Sequence, residues 1–283
     1  RRNLDPEGRA LLRLGLFEAK RMDTPVPVVV AEAVRVAKLT APRAAGLVNA
    51  ALRKASVSDW PDEADEHVPI GLRLSHPDWL VDRWQRLLGT GVTEMALAAN
   101  QVAAPLCILQ SFADGAALEA RGCELARHPW AAGIAVGRQG AAMVVEAVAA
   151  HRAYAMDPTA AVVARLLPDL PGPVVDLAAS PGGKSLLLAT ERGAWAVAAD
   201  RHLGRVLMMR GNLSRVAALR PLVVGDGCLA PLRDSRFSAV LLDAPCSGTG
   251  TLRRHPEIRW RLREEDLGEL GRLQRSLVAS AAA

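Results

Sequence analysis

The sequence predicts an α/β fold in which a parallel sheet binds a ligand along one edge. Apolar runs typical of short buried strands recur in the second half of the chain, at residues 174–179, 194–199, 221–224 and 238–242. The segments between them carry apolar residues at helical spacing, an alternation typical of parallel sheets. A glycine turn follows the first run, and Asp200, Asp226 and Asp243 follow the others. Because the carboxyl ends of parallel strands meet at one edge, these groups are predicted to line a ligand site.

The glycine turn is Ser-Pro-Gly-Gly, residues 180–183, and a helix is predicted from residue 184 to 192, ended by Gly193. Glycines let the backbone bend sharply and approach a ligand closely. Strand, turn and helix together are typical of the first half of a nucleotide-binding unit. The turn alone is a weak signal, and one strand-end aspartate could simply cap a helix. The four aligned strand ends favour a ligand site.

Composition limits the class of protein. At 283 residues and 50% hydrophobic content, two domains with real cores are expected. The sequence contains no membrane helix and no secretory signal, so we predict a cytoplasmic protein. The spacing of Cys107, Cys123, Cys228 and Cys246 is not that of a zinc site, so we predict no metal. The net charge is +5, carried mostly by arginine. Arginine suits phosphate contacts, but codon bias in a GC-rich genome explains the excess equally well.

The elements before residue 174 are predicted from periodicity and from breaking residues. Residues 1–57 read as helices, and an acidic linker follows them. A helix over residues 78–88 ends at Gly89, with its tryptophans in the core. Further predicted elements are strands at 106–109, 134–136 and 143–145, a helix at 115–121, and a helix that reaches residue 167 and is capped by Asp157 or Thr159.

Two motifs carry a family resemblance. They are Asp-Leu-Ala-Ala-Ser-Pro-Gly-Gly-Lys-Ser at 176–185 and Leu-Asp-Ala-Pro-Cys-Ser-Gly-Thr-Gly at 242–250, the latter followed by His-Pro-Glu at 255–257 and Arg-Trp at 259–260. The chain resembles the RNA cytosine-5 methyltransferases of the NOL1/NOP2/Sun family, most closely the bacterial 16S ribosomal RNA subgroup of Sun/Fmu type. The resemblance covers nearly the whole chain and implies a Rossmann-like class I methyltransferase domain that uses S-adenosylmethionine.

The same resemblance implies a domain layout. Residues 10–15 and 45–54 are similar to a NusB-like helical RNA-binding domain. We therefore expect a partial NusB-like domain at 1–57, a linker with a small RRM-like α+β subdomain at 58–150, and the methyltransferase domain at 151–283. We also expect the sequence to be truncated at both ends. The implied partner is RNA, with 16S rRNA as substrate, bound by a monomer and without a membrane.

The resemblance assigns roles to site residues. It implies contacts with the cofactor at Ala178, Ala179, Ser180, Pro181, Gly182, Gly183, Lys184, Asp200, Asp226 and Asp243. Asp200 would hold the ribose hydroxyls and Asp226 would lie near the adenine amine. Asp243 would also contact N3 of the target cytosine, and Cys246 would assist breakdown of a covalent adduct. RNA is predicted to cross an arginine-rich stretch, residues Arg253, Arg254, Arg259, Arg261 and Arg263. The acidic residues around it leave a second interpretation open, a helix face held by its own salt bridges.

Methylation at C5 of cytosine requires a thiolate to add at C6, because C5 alone is too weak a nucleophile. In the family that thiol belongs to a Thr-Cys pair, and these 283 residues contain none. We therefore expect the chain as written not to methylate RNA, although Cys246 as sole nucleophile stays open. The alternative is a catalytically inactive RNA-binding or assembly factor that keeps the fold.

Overall fold

The structure is a computed structural model that describes residues 4–22, 24–58, 65, 67–168, 171–192, 196–213, 221–229 and 236–282. The chain divides into two compact units, residues 1–73 and 74–283. Several sequence predictions fall outside the described residues: most of the acidic linker, the start of the second strand at 194–195, and the helix stop at Gly193. Among the described residues, no helix is both long and apolar enough to cross a bilayer.

The first unit is helical, as predicted. Its helices are α1 (Pro6–Arg21), α2 (Val26–Thr40), α3 (Ala45–Val57) and α4 (Ile70–Arg73). Asp5 begins α1 by accepting a hydrogen bond from the Gly8 amide at 2.6 Å. Small and β-branched side chains let α1, α2 and α3 pack closely. Their shared core contains Val30, Ala33, Ala37, Val48 and Leu52.

The second unit alternates helices with two sheets. Its helices are α5 (Asp78–Leu88), α6 (Thr90–Ala99), α7 (Gly115–Ala120), α8 (Ala141–Ala149), α9 (Pro158–Arg165), α10 (Gly183–Arg192), α11 (Leu203–Leu213), α12 (Ile258–Arg261) and α13 (Asp266–Ala281). Its strands are β1 (Cys107–Leu109), β2 (Glu124–Arg127), β3 (Ile134–Gln139), β4 (Val174–Asp176), β5 (Ala196–Asp200), β6 (Leu222–Val224) and β7 (Ala239–Leu241). Gly89 ends α5 at φ 78°, as predicted, and Asp157 rather than Thr159 caps α9.

A small antiparallel sheet has the strand order β1-β3-β2. The prediction of a strand at 143–145 is wrong, because these residues lie in α8. There Val144 and Ala147 are the buried residues, a spacing of three that fits a helix lying on the sheet. The sequence analysis did not predict β2. This strand has charged, exposed residues at both ends, Glu124 and Arg127, and therefore shows no alternation of apolar and polar residues.

The second sheet is parallel, with the order β6-β5-β4-β7, so the first predicted strand lies in the middle. Asp176 of β4 lies level with Ala198 of β5 and with Leu241 of β7. Asp200 of β5 lies level with Val224 of β6. All four carboxyl ends therefore meet at one edge, which confirms the predicted α/β fold and sets the position of the site.

Candidate active site

A cavity of about 330 Å³ lies at the carboxyl edge of the parallel sheet. The end of β4 and the glycine turn contribute Leu177, Ala178 and Ser180 to its lining, and the three neighbouring strand ends contribute Asp200, Asp226 and Asp243. Cys246 lines the same cavity and is exposed. A volume of this size suits a nucleoside-sized ligand.

The glycine turn is held from outside the cavity. Gly182 adopts φ 99°, a left-handed conformation that favours glycine, and its amide donates to the Ala179 carbonyl at 2.7 Å. The Pro181 carbonyl accepts from the Asn212 amide at 2.9 Å and from the Tyr154 hydroxyl at 3.4 Å. Burial raises the pKa of Tyr154 to about 12, so this hydroxyl stays a donor.

The predicted cofactor residues therefore fall into two groups. Ala178, Ser180, Asp200, Asp226 and Asp243 line the cavity. The others belong to the same turn or to the start of α10 and are not among the lining residues: Ala179, Pro181, Gly182, Gly183 and Lys184.

Two strand-end carboxylates are oriented by their own backbone. Asp200 is buried, and its Oδ1 accepts from the His202 amide at 2.9 Å while Oδ2 lies 4.0 Å from Nη1 of Arg205. Asp226 Oδ1 accepts from the Cys228 amide at 2.9 Å. Each carboxylate keeps a second oxygen that can accept from a ligand hydroxyl or amine.

Charge is concentrated where β4 and β7 end. Lys184, in the first turn of α10, forms an ion pair with Asp243. Beneath them Asp176 is buried and accepts a hydrogen bond from the Ser185 hydroxyl at 2.7 Å, while its Oδ1 has no hydrogen-bond partner within the described residues. Burial, opposed by Ser185 and Lys184, raises the pKa of Asp176 to about 6.

Cys246 lies in the segment that follows β7. Ahead of it the Pro245 carbonyl accepts from the Gln274 amide of α13 at 2.8 Å. Behind it Gly248 adopts φ 71° and begins a 3-10 turn at Thr249–Thr251. Cys107 and Cys123 are buried and Cys228 is half-buried, so the thiol predicted to be chemical is also the exposed one.

Three arginines of the predicted RNA path have partners within the protein. Arg253 donates to the carbonyls of Val102 and Ala103 at 2.9 and 3.0 Å, and Arg254 is paired with Asp157. Arg259 is only 5% exposed. These three arginines bind the protein itself. Arg261 and Arg263 are exposed and their side chains make no hydrogen bond or ion pair within the described residues.

Sequence reasoning missed α13 as a wall of the cavity. Leu273 and Leu277 line it opposite the strand ends. Leu277 also lies over Gly227, where an added Cβ would come within 2.8 Å of its Cδ2. The spacing of four between the two leucines was the available signal, but periodicity does not reveal which element a helix face will meet. Among the described residues no cluster of side chains could hold a metal ion.

Comparisons with known proteins match both units. The family model described as 16S rRNA methyltransferase RsmB/F matches residues 164–283, and the model of the NusB family matches residues 1–56. The chain is 32% identical over 295 residues to the ribosomal RNA small subunit methyltransferase B of Pseudomonas syringae pv. tomato, covering 97% of this chain and 64% of that protein. It is 34% identical over 280 residues to the protein of the same name from Thermus thermophilus, covering 99% and 63%.

A solved structure has the same architecture. The crystal structure of PH0851 superposes with a TM-score of 0.83 at 28% identity, covering 99% of this chain and 67% of that one. The chain thus spans a little under two thirds of the length of the two curated relatives.

Proposed function

Because the chain belongs to the family of the 16S rRNA methyltransferases RsmB/F, we propose that it carries the cofactor site and part of the base site of an S-adenosylmethionine-dependent enzyme that methylates C5 of a cytosine in 16S rRNA. The observation that carries the proposal is the shared cavity. Ser180 of the glycine turn, the strand-end carboxylates Asp200, Asp226 and Asp243, and Cys246 all line it. We propose further that residues 1–57 form a NusB-like RNA-binding domain, that residues 58–150 form a linker and an RRM-like subdomain, and that residues 151–283 form the catalytic domain.

The residues around the cavity fit S-adenosylmethionine. Oδ2 of Asp200, which lies 4.0 Å from Nη1 of Arg205, would accept from the ribose hydroxyls, and the second oxygen of Asp226 would accept from the adenine amine. Leu273 and Leu277 offer an apolar wall for the adenine ring. The backbone at Ala178 and Ser180 would face the methionine part. When bound, the cofactor supplies an electrophilic methyl group.

Asp243 and Lys184 would meet the target base. A carboxyl group at N3 holds the proton that balances charge on the ring when a thiolate adds at C6 and electron density moves to C5. Lys184 fixes the direction of the Asp243 carboxylate through their ion pair. After C5 has gained a methyl group, its proton must be removed before the C6–sulfur bond breaks and the thiolate leaves.

Cys246 is proposed to assist that last step. Its exposed thiol lines the cavity on the side of Asp243, and it is reached from solvent. Because the thiol lies in this cavity, a cytosine that is stacked in RNA must leave its stack to reach it. The attacking thiol in this scheme belongs to a Thr-Cys pair, which these 283 residues do not contain.

Two measurements test the proposal. Isothermal titration of the 283-residue chain with S-adenosylmethionine should show one site, weakened about tenfold or more by Asp226→Ala and by Asp200→Ala, since each removes a carboxylate acceptor. Asp114→Ala, which removes the cap of α7 far along the chain from the cavity, is the control. Wild-type chain without measurable affinity would overturn the cofactor assignment.

For the reaction, 5-methylcytosine is mapped by mass spectrometry in 16S rRNA from cells with and without the full gene. Loss of one 5-methylcytosine supports the enzyme. An unchanged methylation map with a defect in ribosome assembly favours the inactive assembly factor.

A further inference from the structure

Arg259 is a buried arginine whose charge has no acidic partner among the described residues. Its guanidinium donates through Nη1 to the Ser75 carbonyl at 3.1 Å and through Nη2 to the Asn100 carbonyl at 3.3 Å, while Nε has no partner in this part of the chain. Burial lowers the pKa of this guanidinium. A buried charge satisfied only by carbonyl oxygens is costly, so the two bonds hold α12 in one place rather than adding much stability.

The surface that receives Arg259 is itself fixed. Asn100 ends α6, and its side-chain amide donates to Nε2 of the buried His76 at 3.2 Å. Nδ1 of His76 lies 2.5 Å from the Leu74 carbonyl. Since a carbonyl only accepts and the amide nitrogen only donates, His76 is neutral with its proton on Nδ1. Arg259 therefore donates to two carbonyls in ordered positions, that of Ser75 before α5 and that of Asn100 at the end of α6.

A chain of contacts runs from Arg259 to the Cys246 segment. Ile258, its neighbour in α12, packs over Gly248, where an added Cβ would lie 2.9 Å from Ile258 Cδ1. Gly248 is two residues beyond Cys246, and its carbonyl accepts from the Thr251 amide at 2.9 Å. Leu252 is fully buried just beyond that turn. Displacing α12 would therefore release the turn that sets where the Cys246 backbone goes.

We infer that Arg259 is a positioning residue for the Cys246 thiol, acting through Ile258 and Gly248. The inference rests on the proposed function for the role of that thiol, but the position of the thiol can be measured without turnover. Arg253 makes a second, more exposed attachment of the same segment, at Val102 and Ala103. Arg259 differs in being buried and in lying beside the residue that covers Gly248.

The experiment measures alkylation of Cys246 by iodoacetamide in the 283-residue chain, resolved by peptide mass spectrometry, together with hydrogen exchange of residues 246–252. Arg259→Met should change the Cys246 rate by at least about threefold and speed the exchange of this segment, because the turn opens locally. Arg259→Lys should restore only part of the change, because an ammonium does not reproduce the forked donor geometry. Alkylation of Cys228 and affinity for S-adenosylmethionine should stay as in the wild type.

Arg261→Met is the matched control, since Arg261 lies in the same helix turn but is exposed and makes no side-chain hydrogen bond within the described residues. If Arg259→Met lowers the melting temperature yet leaves the Cys246 rate and its local exchange at the control values, the residue is structural only and the inference is wrong. Should that variant fail to fold, Ile258→Ala decides, because it loosens the cover over Gly248 without exposing a buried charge. If the wild type does not bind S-adenosylmethionine, the proposed function is wrong. The comparison of Cys246 alkylation between the Arg259 and Arg261 variants stays valid in that case.

Discussion

Lys184 and Asp243 form an ion pair that joins the helix after the glycine turn to the end of β7. The two residues are 59 positions apart in the chain, and each follows a different strand of the parallel sheet. Lys184 has 15% of its side chain exposed and Asp243 has 56%. The pair therefore places a carboxylate at the mouth of the cavity while its cation stays mostly covered.

Lys184→Met should lower methyl transfer strongly while lowering the unfolding free energy only slightly. Because Asp243 is largely solvated, loss of the pair should cost no more than about 1 kcal/mol of unfolding free energy in urea denaturation. In the full-length gene product, methyl transfer to RNA should fall about tenfold or more, since the carboxylate loses its fixed direction. Asp114→Ala, at the cap of α7, is the control. Equal activity of both variants would remove Lys184 from the base site.

Asp176→Asn should stabilise the protein at neutral pH. The folded-state pKa of about 6 lies above the ordinary value of 3.8, so the folded state holds the proton more tightly than the unfolded state. The unfolding free energy should therefore decline as pH rises from about 3.8 to about 6, by about 3 kcal/mol in total. Asparagine keeps the acceptor for Ser185 and removes the charge, at the expense of an unsatisfied amide.

In urea titrations across that range, Asp176→Asn should lack this decline and should exceed the wild type by about 1–2 kcal/mol at pH 7.5. A variant less stable than the wild type at pH 7.5 would show that neighbouring groups stabilise the ionised carboxylate by more than its burial destabilises it.

His76 should make the unfolding free energy decrease at acidic pH. Burial, assisted by the charge of Arg259, lowers the pKa of His76 below its ordinary 6.5, although the Leu74 carbonyl opposes this. The unfolded state then binds the proton more tightly, so unfolding free energy should drop as pH falls from about 6.5 towards the folded-state pKa. Protonation would also set two donors, Nε2 and the Asn100 amide, against each other.

Thermal melts of His76→Gln between pH 5 and 7 test this expectation. The variant should be less stable than the wild type at pH 7 and should lose the downward slope below about pH 6.5. His255→Gln, at an exposed histidine, should keep the wild-type slope. A slope that survives in His76→Gln would assign it to another group.

The parallel sheet was predictable because apolar runs and strand-end acids repeat with regular spacing, and the topology then brings Asp200, Asp226 and Asp243 to one edge without further information. The partners of the arginines were not predictable. Whether Arg253 meets phosphate or the Val102 carbonyl depends on which distant segment packs beside it, and local sequence does not encode that. For the same reason the sequence did not indicate that the leucines of α13 line the cavity. It also led to a strand prediction at residues 143–145, which form part of α8.

Gly248→Ala tests the turn behind Cys246 directly. The residue has φ 71°, which disfavours any side chain, and a Cβ there would lie 2.9 Å from Ile258 Cδ1, so strain and a steric clash add. Unfolding free energy should fall by about 1–3 kcal/mol, and Cys246 alkylation should shift in the same direction as in Arg259→Met. Gly250→Ala is the matched control, because a Cβ at that position meets no atom within 4 Å and its φ is ordinary. If Gly248→Ala and Gly250→Ala melt and react alike, Ile258 does not restrain this turn, and the route from Arg259 to the thiol must run elsewhere.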